Sequence, residues 1–210
     1  MGRMLGLAEY YQGRPEQALA HQSRALALFE HHGRTAETGF VLYNIGWVEF
    51  TLGQADRAAT HYERALKLFT AVENRRGMAL ALIGIGHSHN QLKNHHKALR
   101  ALDDSMVILE GIGDPNALAS CADAKAKIHR SLGDYHASIA EAQLSLRLAR
   151  RSGNLVNQVE FLTALGETLS LAGRPAEAVP ALRTAISMAD EAGLTMCAAE
   201  ARERLSRVQR

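Results

Sequence analysis

Apolar positions in this 210-residue chain follow helical spacing. From about residue 35 to 52, Leu42, Ile45, Gly46 and Val48 fall on one side of a helix. From about 55 to 72, Ala58, Tyr62, Ala65, Leu66 and Phe69 form an i, i+3/i+4, i+7 stripe. Between the two, Leu52-Gly53-Gln54 interrupts the pattern, and Gly53 is free to take the left-handed conformation that ends a helix. The pattern predicts a pair of helices joined by a tight turn.

That pair repeats. Five turns, YQGRPEQAL, TLGQADRAA, QLKNHHKAL, SLGDYHASI and LAGRPAEAV, place Gly13, Gly53, Lys93, Gly133 and Gly173 at a constant interval of forty positions. One column in the same phase is small throughout: Gly6, Gly46, Gly86, Ala126, Gly166, Ser206. The residue before it is apolar except once: Leu5, Ile45, Ile85, Lys125, Leu165, Leu205. Further columns read Ala18, Ala58, Ala98, Ser138, Ala178, then Ala25, Ala65, Ser105, Ser145, Ala185, then Leu26, Leu66, Met106, Leu146, Ile186. Neither helix of a pair can bury its stripe alone, so the pairs are expected to stack into a right-handed α-solenoid. Small columns are expected where helices cross so closely that only Gly, Ala or Ser lets the backbones approach. Pro15, Pro115 and Pro175 fit the first position of a helix. Asp114 and Asn154 fit N-caps, and Pro180, well inside its helix, predicts a kink. The expected division is five repeats, at about 1–33, 34–73, 74–113, 114–153 and 154–193, and a terminal helix over 195–209, all in one domain.

Composition agrees with an all-α chain. There are 35 Ala and 28 Leu against 8 Val and 8 Ile, a balance that favours helix and argues against the Val/Ile-rich buried strands of parallel-sheet enzymes. The net charge of +2 gives no electrostatic case for nucleic acid or a membrane surface. No apolar run reaches the length of a membrane span, and MGRMLGLAEYY lacks a signal-peptide core, so a cytoplasmic protein is expected. Cys121 and Cys197 lie in Ala-rich helical sequence and read as reduced, small packed residues.

The succession Ile45-Gly46, Gly53, Ala58, Ala65 resembles the tetratricopeptide repeat (TPR), and the match covers essentially the whole chain. The chain departs from the family in three ways: its period is 40 rather than 34, it lacks the proline that closes the second helix, and the aromatic three after the small residue is replaced by Glu9, Glu49, His89, His129 and Leu169. Inter-repeat text such as HHGRTAETGF and GIGDPNALA is similar to the sensor arrays of large actinobacterial transcriptional regulators, as is the use of 19 Arg to 5 Lys. The first helix starts short of its counterparts, and the last is in phase with the first half of a sixth repeat, so the chain reads as a piece of a longer array or as a capped one.

The resemblance implies that the first helix of each repeat lines a concave groove that binds a protein or peptide ligand. In the second repeat the groove-facing positions are Phe40, Tyr43, Trp47 and Phe50, which form one stripe holding 4 of the 11 aromatics. Tyr10 comes from the first repeat, Ile83, His87 and Asn90 from the third, Asp123, Lys127 and Arg130 from the fourth, and Glu160, Thr163 and Glu167 from the fifth. The groove thus runs from aromatic to charged. A clamp for acidic chaperone tails needs Lys and Asn at fixed inner positions, and only Asn44 falls near that pattern. Lys125 interrupts the apolar column, and with Asp123, Lys127 and Arg130 it marks the fourth repeat as either a hinge or a binding site.

An enzyme is not expected. Six of the ten histidines recur with the repeat, as His89/His129, His96/His136 and His21/His61, and no zinc spacing or HExxH is present. Gly84-Ile85-Gly86 sits inside a helix and follows no strand, so it is not a dinucleotide loop. No cofactor or metal is expected. The expected function is a peptide-binding scaffold in a regulator. The alternative is a self-association module that forms a homodimer.

Overall fold

The computed structural model describes residues 15–209. The first helix of the first repeat, with the expected groove residue Tyr10, lies outside them. Among the described residues there are ten helices and no strand. They are α1 (Pro15–His31), α2 (Thr35–Thr51), α3 (Ala55–Ala71), α4 (Arg75–Gln91), α5 (His95–Ile112), α6 (Pro115–Ser131), α7 (Tyr135–Ser152), α8 (Leu155–Leu171), α9 (Pro175–Glu191) and α10 (Thr195–Val208). The chain divides into two compact halves, Met1–Ile112 and Gly113–Arg210.

Helices α1 to α9 all end in the same way. Gly33, Gly53, Glu73, Lys93, Gly113, Gly133, Gly153, Gly173 and Gly193 all have φ between 52° and 79° and follow one another at a constant interval of twenty positions. At the α2–α3 turn Gly53 N–H bonds to the Phe50 carbonyl and Gln54 N–H to that of Glu49, a Schellman closure. The turns inside a repeat and between repeats therefore share one geometry, and the period seen in the sequence is twice the spacing of the turns. Asp114 and Asn154 cap as expected, accepting from the N–H of Ala117 and Asn157; Asn74 and Asp134 do the same for α4 and α7. Helix α9 continues through Pro180 to Glu191.

Within each half, consecutive helices pack antiparallel as hairpins, and first helices of neighbouring repeats also touch directly, α2 with α4 and α8 with α10. The second helices make no comparable mutual contact among the described residues, so each half curves towards its first helices. The columns Ala58, Ala98, Ser138, Ala178 and Ala65, Ser105, Ser145, Ala185 are completely buried. Of the large residues on the stripe read as core, Phe69 is fully buried and Leu66 only half-buried.

The reason for the small column also needs correcting. A Cβ on Gly86 would come 2.8 Å from Leu102 Cγ and 3.3 Å from the Ala98 carbonyl oxygen. One on Gly166 would come 2.6 Å from Leu182 Cγ. The space is taken by a side chain from the partner helix more than by its backbone. In the N-terminal half this goes further. The Tyr62 ring lies between Gly46 and Gly84, whose added Cβ atoms would meet it at 3.1 and 2.6 Å. Phe69 lies in the same way between Gly39 and Gly77, at 2.8 and 2.5 Å. In the fourth repeat Lys125 is held by Glu141 of α7 at 2.6 Å, and α6 and α7 are a closely packed hairpin. The odd lysine therefore has an internal partner.

Candidate functional site

Two clefts open on the first-helix side, one in each half. The N-terminal cleft, about 240 Å³, lies between α2 and α4 and is lined by Tyr43, Trp47, Phe50, Ile83 and His87, with Tyr62 and Gly84 beneath. Spacing along α2 puts Tyr43, Trp47 and Phe50 on one stripe, and all three are half-buried. Ile83 and His87 face them from α4. The Phe50 and His87 rings lie 5.9 Å apart and the Tyr43 and Tyr62 rings 5.4 Å apart. Gly84 lets Tyr62 rise under the cleft, since any side chain there would meet its ring. Burial pushes the Tyr43 hydroxyl above its ordinary range and does the same more strongly to Tyr62, with Tyr43 and Glu49 adding. Both stay neutral, and the cleft is an aromatic surface that the His87 imidazole also lines.

Three expected groove residues of this half lie elsewhere. Phe40 packs edge-on against Phe69 at 4.8 Å, in the adjoining core cluster. Asn44 is buried. Asn90 Oδ1 is 3.0 Å from His95 Nδ1, which ties α4 to α5. Among the described residues no group of three or more His, Cys, Asp or Glu side chains could hold a metal ion.

The C-terminal cleft, about 190 Å³, is lined by Lys127 and Arg130 of α6, Glu160, Thr163, Ala164 and Glu167 of α8, and Glu200 and Arg204 of α10. Ion pairs cross it. Arg130 Nη1 is 2.9 Å from Glu167 Oε2, and Arg204 Nη1 is 2.5 Å from Glu167 Oε1. Arg204 also reaches Glu200 at 3.4 Å. Lys127 Nζ is 2.5 Å from Oδ2 of Asp123, which is buried below the rim. The structure thus brings Lys127, Arg130 and Asp123 together, and adds Glu200 and Arg204 of the terminal helix, which sequence reasoning did not place in the groove. Continuing the column Ser120, Glu160 by one further period reaches Glu200, so that signal was in the sequence.

Neither Cys121 nor Cys197 forms a disulfide. Burial pushes the Cys197 thiol up, and the Glu160 and Glu200 carboxylates add to this. No helix among the described residues is long and apolar enough to cross a membrane.

A family profile described as "Tetratricopeptide repeat" matches residues 1–71 and 118–191, and a second of the same description matches 43–115. No curated protein matches the chain in sequence. Among solved structures, a Rap protein complexed with Competence and Sporulation Factor superposes with a TM-score of 0.85 at 18% identity; the alignment covers 99% of this chain and 61% of that one. A STAND (signal transduction ATPase with numerous domains) protein with a tetratricopeptide repeat sensor, from Pyrococcus horikoshii, gives 0.84 at 14%, covering 99% and 32%. A thermophilic TPR protein from Thermus thermophilus gives 0.71 at 19%, covering 99% and 97%. At these identities the likeness is one of fold. The chain spans less than two thirds of the Rap protein's length and about a third of the STAND protein's.

Proposed function

The chain belongs to the tetratricopeptide repeat family, and from that premise we propose that it is the peptide- or protein-binding sensor segment of a bacterial regulator, acting in the cytoplasm. The observation that carries this reading is the N-terminal cleft. Tyr43, Trp47 and Phe50 stay half-buried on the curved side, although the neighbouring Val41, Leu42, Ile45 and Val48 are buried in the core. Half-exposed aromatics converging on one concavity are the usual anchors of interfaces. The cleft suits one apolar side chain of an extended or helical ligand. The Rap protein with its bound factor and the STAND sensor support the regulator reading at the level of fold.

The test uses a peptide selected against the whole chain from a random display library, with affinity followed by fluorescence anisotropy. Phe50→Ala is expected to weaken binding at least tenfold, about 1.4 kcal/mol, while the melting temperature stays nearly constant. Leu102→Ala, at a completely buried position, is expected to do the reverse and cost about 2–5 kcal/mol of stability. If Phe50→Ala unfolds the chain as badly as Leu102→Ala, the stripe is core and the reading fails. If no peptide is enriched and light scattering shows a concentration-dependent dimer abolished by Phe50→Ala, the cleft serves self-association instead.

A further inference from the structure

Lys127, Arg130 and Arg204 line the C-terminal cleft with three positive charges, and Glu160, Glu167 and Glu200 with three negative ones. Asp123, buried beside Lys127, adds a fourth negative charge and leaves the group one cation short. Each cation is already engaged: Lys127 by Asp123, Arg130 and Arg204 by the two oxygens of Glu167. Glu160 takes part in none of these pairs. Its carboxyl is held above the ordinary carboxylate range mainly by burial, with Asp123 and Glu200 adding and Lys127 opposing. Beside it, the Thr163 hydroxyl donates to the Val159 carbonyl at 2.8 Å. With its proton so committed, it can offer a newcomer only its lone pairs. The cleft therefore presents an uncompensated carboxylate and a hydroxyl acceptor in a space of about 190 Å³.

We infer that this cleft receives an organic cation, the guanidinium or ammonium group of an arginine or lysine side chain on the bound peptide, with Glu160 as its counter-charge and Thr163 as a second acceptor. An anion would have to displace Glu167 from two arginines or Asp123 from Lys127. A cation meets an open carboxylate and gains charge-assisted hydrogen bonds without breaking a pair. The inference rests on the peptide-binding reading above, but it concerns a different cleft, and the two can fail separately.

The experiment is a nuclear magnetic resonance titration of the whole chain with N-acetyl-arginine amide. N-acetyl-citrulline amide serves as the neutral isostere and N-acetyl-glutamate amide as the anionic control. The arginine probe is expected to shift the amide signals of Glu160, Thr163 and Glu167 saturably, and to bind at least tenfold more tightly than the citrulline probe. Raising the salt concentration should weaken it. Glu160→Gln should reduce the arginine affinity to the citrulline level with an unchanged helical signal and melting temperature, and Phe50→Ala should leave it as it was. Equal binding of arginine and citrulline, retention of arginine binding by Glu160→Gln, or stronger shifts with the glutamate probe would each overturn the inference. Peptide binding left unchanged by Phe50→Ala, with arginine binding intact, would overturn the aromatic-anchor reading alone.

Discussion

Positions two repeats apart allow the two halves to be compared residue by residue. In the N-terminal half Tyr62 lies between Gly46 and Gly84; the equivalent residues of the C-terminal half are Ala142, Ala126 and Ala164. Phe69 lies between Gly39 and Gly77, where the other half has Ala149, Ala119 and Asn157. The first half gives the volume to one ring and takes it from two glycines, whereas the second shares it among small side chains. The clefts follow the same correspondence. Tyr43, Trp47, Phe50, Ile83 and His87 become Asp123, Lys127, Arg130, Thr163 and Glu167. Evenly spaced turns of one geometry hold the helices in one register. The repeat therefore fixes where a cleft opens and leaves its chemistry free.

The sharpest way to break this comparison is to carry one solution into the other half. Tyr62→Ala alone empties a buried ring and should cost about 3–5 kcal/mol. Adding Gly46→Ala and Gly84→Ala rebuilds the alanine set of the C-terminal half. In the parent these two changes force Cβ atoms to 3.1 and 2.6 Å from the ring and should destabilise by about 1–3 kcal/mol. In the Tyr62→Ala background they should stabilise, because the ring is gone and alanine is the better helix former. Chemical denaturation of the four variants gives the coupling. Additive effects would mean that ring and glycines are independent features.

A change of comparable but smaller size tests the crossing itself. Gly86→Leu places a branched side chain where even a Cβ meets Leu102 at 2.8 Å, with the Ala98 carbonyl behind it at 3.3 Å. The loss should be about 3 kcal/mol, the upper end of what overpacking costs. At the corresponding position of the next repeat, Ala126→Gly should cost only about 0.5–1 kcal/mol, from helix propensity. A melting temperature unchanged in Gly86→Leu would show a looser crossing than the structure describes.

Much of this fold was legible from the chain. Columns such as Ala58, Ala98, Ser138, Ala178 repeat one residue size, and size at a fixed phase reports burial directly. Tyr62 fell on the apolar stripe of its helix, but the column Tyr62, Leu102, Ala142, Leu182 was not legible as a core column, although every member is buried. Its volume varies, and the compensation lies on other helices, at Gly46, Gly84 and Gly86. The same holds for the sites. Helical spacing put Phe40, Tyr43, Trp47 and Phe50 on one stripe, and the family resemblance turned that stripe towards a groove. Asn44 and Asn90 could not be placed from one helix, because their burial and pairing depend on the neighbouring helices. The Glu200 and Arg204 side of the charged cleft comes from a helix whose polarity reads equally well as ordinary surface.

The smallest expected effect is the most selective. All four left-handed turn positions of the C-terminal half from Gly133 onwards are glycine, whereas in the N-terminal half Lys93 and Glu73 hold φ of 62° and 52°. A side chain in that region costs roughly 1–2 kcal/mol, and glycine gives back about 0.5–1 kcal/mol through the freedom it loses on folding. Lys93→Gly should therefore stabilise the N-terminal half by up to about 1 kcal/mol. Gly133 occupies the same turn one repeat later, and a Cβ there would meet nothing within 4 Å. The reciprocal change, Gly133→Lys, thus introduces the backbone cost with no steric clash and should destabilise by a similar amount. Denaturation midpoints of the two variants should move in opposite directions by comparable steps. If both fall, turn strain is not what separates lysine from glycine here, and the Lys93 side chain is making a contact that outweighs its φ.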